Sequence, residues 1–297
     1  MAVANRRPLA ATVDGAYEWC RRYTKARASN FYYAFSTLPA AKRNAIYAAY
    51  AFSGIVDDIA DEITDPDEQE LRFSEARIAL MLSYEGRARL PSYEALSDAV
   101  WRFEIPRRYF DDLLAGVTMD ITVKRYASWE ELRVYCSRVA STIGLICTSI
   151  FGASEPVLAN RYAIDLGIAL QVINIMRDVR EDAERGRIYM PEDELAVARL
   201  RDDDILGGIY DERFISLMRR QADRARYHLL SGRRLLPLLD VRSRMCVNVL
   251  QGVYAELLRR IETRNYDVFG ERVRLSSREK LQAIAGLCLE AAIRSEP

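Results

Sequence analysis

Two groups of oxygen-bearing side chains could carry chemistry in this chain. In Val56-Asp57-Asp58-Ile59-Ala60-Asp61-Glu62, Asp57 and Asp61 stand four residues apart. On a helix, four residues rise about 6 Å and return to the same face, so both carboxylates can address one cation. Further on, Gln171, Asn174, Asp178 and Asp182 step by three, four and four, a polar stripe on an otherwise apolar segment. Like charges at that spacing cost roughly 0.2 to 0.5 kcal/mol even on an exposed helix, and burying them without a counter-ion costs far more. A divalent cation relieves that cost. Oxygen ligands with no His or Cys nearby favour Mg²⁺, with Mn²⁺ as its substitute, over zinc, and Mg²⁺ is usually shared between one or two carboxylates and a substrate's phosphates. A single Asp-x-x-x-Asp is as often a solvated face, and Asp65, Asp67, Glu68 and Asp202 to Asp204 are read as that. Two such pairs, each following an apolar helical run, point instead to acidic faces looking at each other across an apolar cavity. That arrangement binds a diphosphate through bridging cations and promotes its departure.

The elements that position these groups are helices. Apolar residues recur at helical spacing through Phe31 to Ser53, Glu70 to Tyr84, Ile105 to Ala115, Trp129 to Phe151, Pro156 to Ala183, Phe214 to Leu236, Arg242 to Thr263 and Ser276 to Arg294. The period-two alternation of strands is nearly absent. Breakers such as Asp65-Pro66, Ile105-Pro106, Gly152 and Met190-Pro191 fall between or at the edges of these runs, and no linker or repeat divides the chain. One all-α domain over 1–297 is expected, with Tyr162 to Met176, apolar nearly all round, buried inside a bundle. Half of the 297 residues are apolar and 29% charged, so the chain folds, and its 43 basic and 43 acidic side chains cancel, which argues against nucleic acid as a partner. Five cysteines without a Cys-x-x-Cys pair predict neither disulfides nor a zinc site. His228, the sole histidine, has no hydrolase motif near it and is read as helix-face filler. No Gly-x-Gly-x-x-Gly or Walker loop is present, and no apolar run approaches the roughly 18 to 20 residues of a membrane span.

The same residues carry a family resemblance. Phe31-Tyr32-Tyr33-Ala34-Phe35, Tyr50 ahead of Asp57-Asp58-Ile59-Ala60-Asp61, Tyr135-Cys136-Ser137-Arg138-Val139-Ala140-Ser141, the run Gln171 to Asp182 with Gly186-Arg187-Ile188-Tyr189-Met190-Pro191, and Tyr266-Asp267-Val268-Phe269 leading to Arg272 are similar to the squalene/phytoene synthase family of head-to-head prenyl diphosphate condensing enzymes. The match runs from about Phe31 to Lys280. The resemblance implies an all-α, single large helical bundle of the class I isoprenoid synthase type with a central cavity. It implies Mg²⁺ held by Asp57, Asp61, Asn174, Asp178 and Asp182, with Tyr50 and Tyr189 joining the four aspartates in catalysis. Arg177, Gln171, Asn174, Tyr254, Arg272 and Phe31 would contact substrate, Arg177 because its fork pairs with phosphate oxygens and keeps its charge.

The reaction implied first is condensation of two farnesyl diphosphates to presqualene diphosphate or, with NADPH, squalene. The alternatives are phytoene formation from geranylgeranyl diphosphate, dehydrosqualene formation, or a non-catalytic assembly-factor relative, against which the retained aspartates speak. A head-to-tail prenyltransferase or terpene cyclase fits the Arg-Asp-Val-x-Glu-Asp string less well. The sequence departs from the family at Ser53-Gly54, where an Arg usually precedes the first aspartates, and at Ala28-Ser29-Asn30-Phe31. Gly54→Arg would then either supply a missing phosphate contact or overpack a filled site. Oily substrates in a chain without a span lead us to expect a cytoplasmic monomer or homodimer that touches membrane peripherally.

Overall fold

The computed structural model describes residues 10–27, 32, 34–276 and 279. Among these no strand occurs; thirteen α-helices of five residues or more pack around one continuous apolar core running from Val13 to Leu275. They are α1 Ala10–Arg27, α2 Ala40–Glu62, α3 Pro66–Tyr84, α4 Pro91–Arg102, α5 Arg107–Thr122, α6 Trp129–Cys136, α7 Thr142–Phe151, α8 Pro156–Arg177, α9 Val179–Glu184, α10 Glu192–Ala198, α11 Asp202–Leu206, α12 Glu212–Gly232 and α13 Val241–Thr263. The apolar helix α8 lies at the centre, against α12, α7 and α13.

Local chemistry sets the boundaries. Pro39 fixes the start of α2, so the run that the sequence begins at Phe31 becomes helical as α2 only from Ala40 and continues past Ser53 to Glu62. The side chain of Gln69 on α3 donates to the Ile59 and Ile63 carbonyls, at 3.1 and 2.9 Å, and so closes the end of α2 that carries Asp57 and Asp61. Asp65, Asp211 and Asp240 accept from backbone N–H groups at the starts of α3, α12 and α13. Pro106 moves the predicted 105–115 helix to Arg107–Thr122. The predicted 156–183 helix is broken at Asp178 (φ −102°, ψ 12°), which puts Asp182 on the short α9. Helices α1, α4, α10 and α11 were not expected: α1 is rich in polar residues, α4 has only three turns, and α10 and α11 are shorter still. The predicted 276–294 helix lies outside the described residues.

Between α6 and α7 a π-helical turn, Ser137–Ser141, keeps one continuous rod, Trp129–Phe151. This rod corrects the sequence reading on one point, because its length and mean hydropathy of 1.4 would allow a membrane crossing; here it packs against α5 and α8. Glycines let those neighbours approach. A Cβ at Gly167 would lie 2.5 Å from Ser141 Cα, and one at Gly116 would lie 2.6 Å from Arg138 Cβ. One helical turn beyond these crossings stand Gln171 and Asp120.

Candidate active site

The ends of α2, α5 and α8, with the segment after α9, enclose a cavity of about 350 Å³ lined by Asp57, Asp61, Asp120, Gln171, Asn174, Arg177, Asp178, Asp182, Arg185, Arg187, Tyr135 and Tyr189, with Ala60, Val117 and Ile175 as its apolar part. Eight of the residues expected from sequence meet there. Five carboxylates face three guanidiniums, so the lining is short of positive charge.

The first wall is the last two turns of α2. Asp58 is held by the Tyr23 hydroxyl at 2.8 Å and by Arg27, both from α1. Asp61 accepts from Arg185 and Arg187, each at 3.2 Å. Among the described residues no guanidinium pairs with Asp57. Its side chain is open to the cavity but surrounded by protein, and that desolvation together with the charges of Asp120 and Asp61 pushes its carboxyl up to about 7.

The second wall, where α8 breaks into α9, repeats the asymmetry. Asp178 accepts from Arg177 Nε at 2.7 Å and Arg272 Nε at 2.9 Å. Burial alone would raise the Asp178 carboxyl, but those hydrogen bonds and charges outweigh it and hold it below the usual range. Asp182 has no such partner among the described residues, and burial, reinforced by the charge of Asp178, lifts it to about 7 despite Arg187 and Arg185 nearby. Asn174 donates to Gln171 Oε1 at 3.5 Å, while its own Oδ1 is buried without a hydrogen-bond partner. Each wall therefore holds one carboxylate paired with arginine and one that no guanidinium pairs with among the described residues.

Tyr50 and Tyr254 stand behind this lining. Tyr50 lies close enough to Asp57 and Tyr254 to feel their charges, and Tyr254 sits beside Arg177 and Asn174; burial raises both phenols. Phe31 lies outside the described residues. The sequence reading missed Asp120, Arg185 and the role of Tyr135. Asp120 is one carboxylate in the apolar stretch Val117 to Val123, and its position on the Val117 face of α5 was the available signal. His228 is not helix-face filler: it is buried, with Nδ1 2.9 Å from Asp165 Oδ1, remote from the cavity lining. The space that a side chain at Gly54 would need is taken by the Tyr23 ring, 2.8 Å away.

A family model described as squalene/phytoene synthase matches residues 24–279. The phytoene synthase of Mycobacterium tuberculosis is 39% identical over 289 residues, 96% of this chain and 94% of its own length. That of Arthrospira platensis is 35% identical over 95% of this chain and 96% of its own. A solved dehydrosqualene synthase superimposes with a TM-score of 0.88 at 25% identity, covering 95% of this chain and 99% of that one. The squalene synthase HpnC of Alicyclobacillus acidocaldarius gives 0.82 at 27% identity, covering 87% and 97%.

Proposed function

Because the chain belongs to the squalene/phytoene synthase family, we propose that it condenses two allylic prenyl diphosphates head to head, with one diphosphate at each acidic wall of the cavity. The observation that carries this reading is geometric: Asp57 and Asp61 on one wall and Asp178 and Asp182 on the other line one cavity together with Arg177, Arg185 and Arg187. A hard divalent ion suits this donor set, because every candidate ligand is an oxygen and the buried Asn174 Oδ1 lacks any other partner. Asp57 and Asp61 on one wall, and Asn174, Asp178 and Asp182 on the other, would hold Mg²⁺, which withdraws charge from a departing diphosphate.

The chain's own residues do the rest. Arg177, Arg185 and Arg187 bring permanent positive charge to the phosphates, while Arg272 fixes Asp178. Gln171 orients Asn174. Once the first diphosphate has left, the allylic cation is attacked by the double bond of the second substrate, giving a cyclopropylcarbinyl diphosphate. Loss of the second diphosphate, rearrangement and proton loss then yield the C40 or C30 hydrocarbon. The relatives named phytoene synthase, 33 to 39% identical, support geranylgeranyl diphosphate as substrate. Farnesyl diphosphate is the second reading, supported by the dehydrosqualene and squalene synthase structures; only its squalene branch consumes NADPH. We place the enzyme in the cytoplasm against a membrane surface, where its oily product leaves.

Separate incubations with labelled geranylgeranyl or farnesyl diphosphate and Mg²⁺, with and without NADPH, test this. A C40 product made without reductant is expected. A C30 product alone would move the assignment to the second reading, and no condensed product from either substrate would refute the proposal.

A further inference from the structure

Asp120 has a setting unlike the other cavity carboxylates. It stands in the last turn of α5 and lines the cavity three residues after Val117. The Tyr189 hydroxyl donates to its Oδ1 at 2.6 Å and the Tyr135 hydroxyl to its Oδ2 at 3.1 Å. The two phenol rings stack with centroids 5.2 Å apart, and the buried Tyr126 ring supports both at 5.5 and 6.0 Å. No guanidinium pairs with Asp120 among the described residues: Arg185 and Arg187 go to Asp61, and Arg177 to Asp178. Its charge nevertheless reaches both walls, raising Asp57 and Asp182 alike.

With each carboxylate oxygen accepting a phenol hydrogen bond, Asp120 is less nucleophilic toward a carbocation than a bare carboxylate. Tyr189 donates its one proton to Asp120, and Tyr135 shares its proton between Asp120 and the Tyr189 oxygen 3.4 Å away, so each phenol keeps a lone pair and a ring face, both attractive to positive charge. A negative charge without an arginine partner among the described residues, flanked by two aromatic rings, stabilises a cation in the cavity without bonding to it. We infer that Asp120, acting through Tyr135 and Tyr189, is a positioning residue that holds a fixed negative station for the carbocations formed as diphosphate departs. This rests on the head-to-head reading above.

Asp120→Asn keeps the shape and one acceptor but removes the charge. We expect kcat to fall tenfold or more, with KM for the prenyl diphosphate within about threefold, and a larger share of substrate lost as free prenol through capture by water. Calorimetric affinity for inorganic diphosphate with Mg²⁺ should be unchanged or tighter, and Asp120→Glu should restore part of kcat. Tyr135→Phe and Tyr189→Phe, which leave the carboxylate in place, should give smaller losses of the same kind and keep the test open if Asp120→Asn fails to fold. Unchanged kcat, or a loss of diphosphate affinity in step with kcat, would overturn the inference. A separate readout needs no turnover: the tyrosine ultraviolet difference spectrum of substrate-free Asp120→Asn should show two perturbed phenols. A flat spectrum would refute the geometry itself, whereas a perturbed spectrum in a protein that condenses no prenyl diphosphate would refute only the function on which the inference rests.

Discussion

Gly54 offers a quantitative test of how the first wall is built. A Cβ there would lie 2.8 Å from both Cε1 and Oη of Tyr23, well inside a normal contact of about 3.5 Å or more. The ring cannot yield freely. It stacks on Trp19 at 5.3 Å, Arg27 lies 5.2 Å from its centroid, and its hydroxyl donates to Asp58 at 2.8 Å. Gly54→Ala must therefore displace the ring and strain or break a hydrogen bond to a carboxylate, and overpacking of this kind costs about 1 to 3 kcal/mol. We expect Tm to fall by several degrees in a thermal scan, and Gly54→Arg to lower it further without improving KM for prenyl diphosphate. In a Tyr23→Ala background the Gly54→Ala cost should largely vanish, because the obstructing atoms are gone. Full additivity of the two substitutions, or an arginine at 54 that tightens substrate binding with stability intact, would refute this account of the wall.

Two further outcomes follow from the packing and the charges. Gly167→Ala would press a Cβ to 2.5 Å from Ser141 Cα, backbone that no rotamer change can clear; we expect a loss of about 3 kcal/mol or more, read as a Tm drop or insoluble expression, and a neutral variant would contradict the close crossing of α8 and the π turn. Asp57 and Asp182, raised from 3.8 to about 7, bind more protons folded than unfolded between those values, so their contribution to stability falls as pH rises through that window. The Tm of Asp57→Asn or Asp182→Asn relative to wild type, measured without metal, should accordingly rise from pH 5 to 7.5, and a constant difference would show that neither carboxylate is buried uncompensated.

Spacing alone brought out the two aspartate walls, because i, i+4 carboxylates following apolar runs are visible without tertiary information, and the central position of α8 was legible from its all-round apolarity. What escaped depends on contacts remote in sequence. Asp120 acquires meaning only through Tyr135 and Tyr189, 15 and 69 residues away. Arg185 matters because it reaches Asp61 across 124 residues. The departure at Ser53-Gly54 looked like a lost cation, but the structure shows a site filled by Tyr23, with Arg27 from the same helix bringing a guanidinium to Asp58 next to the pair. The break at Asp178 was hidden because periodicity carries straight through it, and only the backbone angles reveal that Asp182 starts a new helix.

The central claim is that two acidic walls release two diphosphates, and it is tested most directly by counting diphosphate and condensed hydrocarbon in one Mg²⁺-containing reaction for wild type, Asp57→Asn and Asp182→Asn. Two diphosphates per hydrocarbon are expected from wild type, with turnover in each variant lower by roughly a hundredfold or more at unchanged helical circular dichroism. One diphosphate per product, the yield of head-to-tail transfer or of arrest at the cyclopropylcarbinyl diphosphate, or near wild-type turnover in either variant at saturating Mg²⁺ would contradict the account.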